Sequence, residues 1–417
     1  MARNGLIAAL DIGSSKICCL IGVPGEGENI RVIGIGHHVS RGIKSGTIVD
    51  MDAAEESVTA AVLAAERMAG ETARDVVVGV AGGQLSSRLI DMRIGLNGGP
   101  VRDSDLRRLL YNGGPEIEPN RVLLHALPVG YSIDGSNGIH DPRGLHGQVL
   151  AVHVHELTAS ATAIRNVTTC VERCHLNVSD VVASPFAAGL ATLARDEMEL
   201  GVTVIDIGGG ATSYAIFLEG TPVFAGSVPV GGSHVTNDIA RGLATPLAHA
   251  ERLKTLHGSA LPSISDERET VVAPQVGEDP SNSQNHIPKS FLVSIIAARI
   301  EEVLELVRGE LDAVGASRMA GRRIVLTGGG CQLPGLQELA ARTFDRQVRV
   351  GSPVGFEAMA TATSGPAFAA CAGLLRFATV DTGDLRTQAG YSSPAVDGLL
   401  GRLGPLGRLG GWLRENL

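Results

Sequence analysis

The sequence has no surplus of positive charge. Its 35 lysines and arginines stand against 44 aspartates and glutamates, a net of −9, so it lacks the broad basic face of a duplex binder and no nucleic-acid partner is expected. It also lacks a spaced cysteine framework. The six cysteines, Cys18, Cys19, Cys170, Cys174, Cys331 and Cys371, lie in apolar or helical stretches of a long chain, which points to free thiols in a reducing compartment. Cys170, Cys174 and His175 share one helical stretch with no second pair nearby, a poor zinc site. No run approaches the roughly 18 to 20 uncharged apolar residues of a membrane span, and Asp11 interrupts the first apolar run before it reaches signal-peptide length. A cytoplasmic body is expected. With 44% hydrophobic and 19% charged residues, the chain does not have the composition of a disordered protein.

What the sequence does have is glycine, 54 of 417 residues, without the three-residue period of collagen, so glycine turns are the feature to follow. The length implies at least two compact units. Strands are predicted at 5–12, 17–23 and 30–38. A helix follows with Asp52 and Glu55 as a capping pair and Gly70 as its stop, then a buried strand at 75–80. Residues 84–160 change texture and read as a small inserted α+β unit, in which His153 and His155 alternate with valines as a polar face. A helix at 158–175, a strand at 178–183 and a helix at 186–195 complete the first half. At 201–217 the opening pattern restarts: LDIGSSK at 10–16 and IDIGGGATS at 205–213 look like one motif used twice. A helix at 290–313 is predicted to turn Phe291, Ile295, Ala298, Val303 and Leu306 to the core. A further helix carries Pro334 in its first turn.

The repeat carries the chemistry. In both copies an aspartate ends a buried strand and small residues follow at once: Asp11 before Gly13, Ser14 and Ser15, and Asp206 before Gly208, Gly209 and Gly210. Backbone amides approach phosphate oxygens closely only where side chains are absent or tiny, and a neighbouring carboxylate can hold magnesium through water. Two such hairpins facing each other would clamp the phosphates of a nucleotide. Gly328, Gly329 and Gly330 end a third strand, where a flat base could lie on bare backbone.

This order of two phosphate hairpins and a glycine turn resembles the actin/Hsp70/sugar-kinase superfamily and, within it, the FtsA family of bacterial cell-division proteins. SRGIKSGTIVDMDAA (40–54), DPRGLHG (141–147), PVGGSHVTNDIARGLATPLAHAERLK (229–254) and Arg299-Ile300-Glu301-Glu302 carry the likeness. The resemblance implies an α/β, actin-like two-lobed fold with an inserted 1C-type subdomain, ATP and Mg2+ as ligands, and self-assembly. It also implies anchoring of FtsZ filaments at the cytoplasmic face of the membrane, at the division site, with recruitment of later division proteins. Subdomain IA would span 1–83 and 161–199, the insertion 84–160, IIA 200–240 and 316–380, and IIB 241–315. A linker at 381–396 and an amphipathic helix at 397–417 would follow. By matching positions, Asp11 and Asp206 would serve magnesium, Lys16 the phosphate charge, Gly232 the phosphates, and Glu251 and Lys254 the ribose and base. Gly329 and Gly330 would line the adenine, and Arg299 would meet the acidic FtsZ tail. Ser184-Pro185 stands where many members of the family have Glu-Pro. Serine is a weak base without a partner, so slow hydrolysis is expected. A PilM-like pilus-assembly adaptor and a small-molecule kinase share the clamp and are the alternatives.

The tail can be read from helical geometry. At roughly 100° per residue, Leu399, Leu403, Leu406, Leu409, Leu413 and Leu417 form one stripe, with Trp412, the only tryptophan, near its edge. That is the pattern of a helix lying on a membrane, where apolar burial dominates because three arginines are nearly balanced by Glu415 and the terminal carboxylate.

Overall fold

The computed structural model describes residues 5–112, 117–277, 285–315 and 321–380. The expected linker at 381–396 and the amphipathic helix at 397–417, with Leu399, Leu403, Leu406, Leu409, Trp412 and Leu413, lie outside the described residues.

The chain opens with β1 (Ile7–Ile12), β2 (Lys16–Pro24), β3 (Ile30–Val39), the two-residue strands β4 (Ile43–Lys44) and β5 (Thr47–Ile48), α1 (Met51–Ala69) and β6 (Asp75–Val80). β1 and β2 are nearly continuous apolar runs because helices cover both faces of their sheet. Leu10, Ile17, Cys19 and Ile21 face α1, while Ala9, Cys18 and Leu20 face the other way. The N-cap of α1 is Asp50, whose carboxylate accepts from Ala53 N at 3.1 Å, in place of the expected Asp52. Because helical backbone begins at Met51, Asp52 and Glu55 already lie in the first turns, where both pair with Arg173. Gly70 closes the helix as expected, with φ +69°.

The insertion comprises β7 (Ser86–Gly95), α2 (Asp103–Asn112), β8 (Arg121–Ile133), β9 (Ser136–Ile139) and β10 (Val149–Ser160), in a sheet of order β7-β10-β8-β9. Met92, Ile94, Leu109, Leu150 and Val152 make its own core. The predicted helix at 158–175 starts later: Thr158 and Ala159 still pair with β8, and Ser160 caps α3 (Ala161–Arg173). β11 (Asn177–Ala183) leads into α4 (Ser184–Thr192), and the helix predicted to run to 195 is interrupted at Leu193, which is extended, before α5 (Arg195–Leu200).

The second lobe repeats the opening. β12 (Val202–Ile207), β13 (Thr212–Leu218) and β14 (Thr221–Val228) precede α6 (Gly232–Gly242), α7 (Leu247–His257), β15 (Thr270–Val272), β16 (His286–Pro288) and α8 (Lys289–Ala313). β17 (Arg323–Thr327), α9 (Leu336–Phe344) and β18 (Gln347–Val350) complete a sheet of order β14-β13-β12-β17-β18. The buried face of α8 is Leu292, Ile296, Ile300, Val303, Val307 and Leu311. Of the predicted stripe, Val303 is buried, Ile295 is only partly so, and Phe291, Ala298 and Leu306 are exposed. The helix is apolar over so much of its girth that two adjacent stripes satisfy the same spacing. Pro334 precedes α9, whose N-cap is Gly335.

The chain then returns. β19 (Phe356–Glu357) joins β3 at the edge of the first sheet, in the order β11-β6-β1-β2-β3-β19, and α10 (Ala369–Phe377) packs on α4 and β1. Residues 356–377 therefore belong with the first lobe, not with the second as expected. α4 and α10 lie between the two sheets, where Phe186 and Ala187 share a core with Val204, Phe217 and Leu374. They cross backbone to backbone, since a Cβ on Gly373 would stand 1.7 Å from Ala187 O.

Candidate functional site

The β1–β2 and β12–β13 turns close in the same way, with Gly13 N donating to Lys16 O at 3.1 Å and Gly208 N to Ala211 O at 3.0 Å. In each, a Cβ on the first glycine would press on that acceptor, at 2.7 and 2.9 Å, so both turns need glycine there. The hairpins face each other across the gap between lobes. A Cβ on Gly209 would stand 2.6 Å from Ser15 Oγ, and one on Gly210 2.5 Å from Ser14 Oγ. Ser14 Oγ accepts from Gly46 N at 2.8 Å. The second hairpin is held from behind by α6, whose Gly232 and Ser233 amides donate to Gly208 O and Gly209 O at 2.9 and 2.7 Å.

Asp11 and Asp206 end the paired strands. Burial pushes the Asp11 carboxyl up to about 6, with Lys16 opposing. Burial and then the charge of Asp11 push Asp206 up to about 7, again against Lys16. Gly328, at φ +85°, brings the third glycine turn against this carboxylate: a Cβ there would stand 2.2 Å from Asp206 Oδ1. Ser184 Oγ is buried with no hydrogen-bond partner. No group of three or more His, Cys, Asp or Glu side chains placed to hold a metal ion occurs among the described residues. Two desolvated carboxylates beside bare backbone suit magnesium, which takes one or two protein carboxylates and completes its shell with water and phosphate oxygens.

The cleft between these parts holds about 470 Å³ and is lined by Asp11, Gly13, Ser14, Ser15, Lys16, Asp206, Gly208, Gly209, Gly210, Gly232, Glu251, Lys254, Gly328, Gly329 and Gly330. Residues expected from three distant segments thus meet at one place. Lys16 Nζ donates to Ala367 O at 2.7 Å and sits 3.4 Å above the Phe368 ring, so it bridges the first hairpin to the turn before α10. Lys254 Nζ donates to Gly232 O, Thr236 Oγ1 and Glu251 Oε2 at 3.1, 2.8 and 2.7 Å, and Thr236 donates to Glu251. Glu251 and Lys254 are therefore joined to the start of α6 and are not a free surface pair.

Sequence reasoning missed Thr236, Gln332, Pro366 and Ala367. Thr236 was legible as one helical turn beyond Gly232, whereas Pro366 and Ala367 reach the cleft only because the chain returns to the first lobe. Arg299 lies outside the cleft lining, and its guanidinium is already paired with Asp238 on α6 and with Glu302. His153 pairs with Asp91 on an exposed face. His155, two residues on, is buried where that face meets β14, and burial together with His125 lowers its pKa to about 4 against a hydrogen bond accepted by the Pro222 carbonyl.

The family model described as "Cell division protein FtsA" matches residues 203–373, and that of the "SHS2 domain inserted in FTSA" matches residues 82–158. A curated relative, "Cell division protein FtsA" of Rhizobium meliloti (strain 1021), is 45% identical over 425 residues, covering 99% of this chain and 95% of its own. Among solved structures, the "PilM-PilN type IV pilus biogenesis complex" aligns with a TM-score of 0.62 at 17% identity, over 90% of this chain and 99% of that one. MreB5 of Spiroplasma citri bound to ADP aligns with a TM-score of 0.53 at 14% identity, over 90% and 97%. At such identities the solved structures show the fold alone, which is actin-like, and the family model shows the SHS2 insertion.

Proposed function

The chain belongs to the FtsA family of cell division proteins, and on that premise we propose that it binds ATP, assembles into actin-like filaments at the cytoplasmic face of the membrane, anchors FtsZ filaments there and recruits later division proteins. The observation that carries the reading is the meeting of both hairpins and the third glycine turn on one cleft. Backbone amides of Ser14, Ser15, Gly209 and Gly210 cradle the phosphates, on turns that Gly13 and Gly208 close. Mg2+, when bound, neutralises phosphate charge beside Asp11 and Asp206. Lys16 leaves Ala367 O for a phosphate oxygen. Glu251 and Lys254 hold the ribose and base, and Gly329 and Gly330 line the adenine.

Ser184 stands on the cleft without a base to activate it, so nucleotide acts chiefly as a clamp between lobes and turnover is slow. Membrane contact is assigned to Leu399, Leu403, Leu406, Leu409, Trp412 and Leu413, and the FtsZ C-terminal peptide to α8 around Arg299, where an acidic peptide displaces Glu302 or Asp238. The test is vesicle co-sedimentation with magnesium-ATP, comparing the full chain with one ending at Val396. Only the full chain should pellet. If both pellet, or neither does, the tail is not the anchor.

A further inference from the structure

Beyond the insertion's own core, strand β8 enters three further hydrophobic clusters. Leu124 sits in the core under α1, Leu127 in the core between the sheets, and Val129 packs against the core of the second lobe. Between the first two lies His125, fully buried, whose Nε2 accepts the backbone N–H of Ala183 at 3.1 Å. A ring nitrogen that accepts carries no proton, so this imidazole is the neutral Nδ1–H tautomer. Ala183 ends β11 and is the N-cap of α4. The next residue is Ser184, on the floor of the cleft. Phe186 and Phe377 meet the His125 ring edge-on at 5.1 and 5.8 Å, holding it between α4 and α10. On the other lobe, Ser87 of β7 accepts from Ala225 N of β14 at 3.3 Å.

We infer that the inserted unit is coupled to the nucleotide site, with His125 as the positioning residue that fixes the first turn of α4 from inside the insertion. The inference rests on the nucleotide reading above. A strand wedged into three close-packed cores cannot tilt without disturbing all of them. A ligand that draws the lobes together therefore bears on the insertion, and a partner bound to the insertion alters nucleotide affinity by the same factor.

The test uses the full chain and two readouts. One is hydrogen exchange of β7 and β8 with and without magnesium-ATP. The other is affinity for a fluorescent ATP analogue in wild type, His125→Gln and His125→Leu. The glutamine oxygen can accept from Ala183 N, whereas leucine fills the space and cannot. We expect nucleotide to slow exchange in β7 and β8 of the wild type. His125→Leu should weaken binding about five-fold or more and abolish that slowing, and His125→Gln should restore most of both. Unchanged exchange in the wild type at saturating nucleotide overturns the inference, whether or not the leucine variant folds. A folded glutamine variant as weak as the leucine one overturns the role of the acceptor. A wild type that binds no analogue at all instead overturns the nucleotide reading, and the inference falls with it.

Discussion

Compared residue by residue, the β1–β2 and β12–β13 hairpins close with the same backbone hydrogen bond, yet the first carries two serines and a lysine where the second carries only glycine and alanine. The cause is that they share one gap. Ser14 and Ser15 fill the space that side chains on Gly210 and Gly209 would need. A repeat in sequence has thus become a repeat of backbone only, with hydroxyls and cation on one side and bare amides on the other. The supports differ as well: Gly46 N donates to Ser14 on the first hairpin, while α6 docks on the carbonyls of the second.

The sharpest way to break this division is to give the bare hairpin a side chain. Gly209→Val should collide with Ser15 and cost roughly 2 to 3 kcal/mol of nucleotide affinity, read by titration with a fluorescent ATP analogue. Ser15→Gly in the same background should recover part of it. If Gly209→Val binds normally, the hairpins do not meet as described.

The two aspartates are alike in one respect, since burial pushes both carboxyls up. Asp206→Asn should raise the stability of the nucleotide-free protein by about 2 kcal/mol in denaturant unfolding while removing the magnesium dependence of nucleotide binding. Asp11→Asn should stabilise as well. No gain from either would mean that the two carboxyls are not desolvated.

Both aspartates also set a pH signature of known sign. A carboxyl raised in the folded state binds more protons folded than unfolded, so its contribution is fully present below the unfolded value of 3.8 and is lost as pH rises through about 6 and about 7. His155, lowered from 6.5 to about 4, has the opposite slope between those values, its contribution being lost as pH falls through that range. The two partly cancel near pH 5. Above the ordinary histidine range the carboxylates remain, so stability without nucleotide should fall by about 1 kcal/mol between roughly pH 6.5 and 8. Asp206→Asn should flatten that fall in urea melts. A rise over the same interval would contradict the burial of both carboxyls.

The smallest effect concerns the side of the cleft formed by α6 and α7, where Thr236 joins Lys254 and Glu251 to the start of α6. Thr236→Val should weaken analogue binding by about three-fold, near 0.7 kcal/mol, the scale of one hydrogen bond. A loss as large as that of Gly209→Val would shift weight from the phosphate grip to this network.

How much of this was visible in the residues depends on distance along the chain. The hairpins were legible because each is local: an apolar run, an aspartate and small residues specify strand, carboxylate and turn within a few positions. The cap of α1 was misplaced by two residues because Asp50 and Asp52 offer the same chemistry. The face of α8 was misread because its apolar girth is wide. What sequence could not supply were pairings between distant segments, such as Phe356 beside Ile30 and His125 beside Ala183. No local pattern at any of these residues encodes its partner.

The crossing of α4 and α10 has a consequence of another kind. Along SPFAAGLAT and AACAGLLRF the closest approach is made by Ala187 and Gly373, whose side chains have no rotamers to freeze. Forming this crossing forfeits almost no side-chain entropy at its closest point, and parting it releases almost none there. Heat favours disorder through such released freedom, so it has little leverage here, and warming should loosen the long-side-chained faces of the molecule before the junction on which the cleft depends.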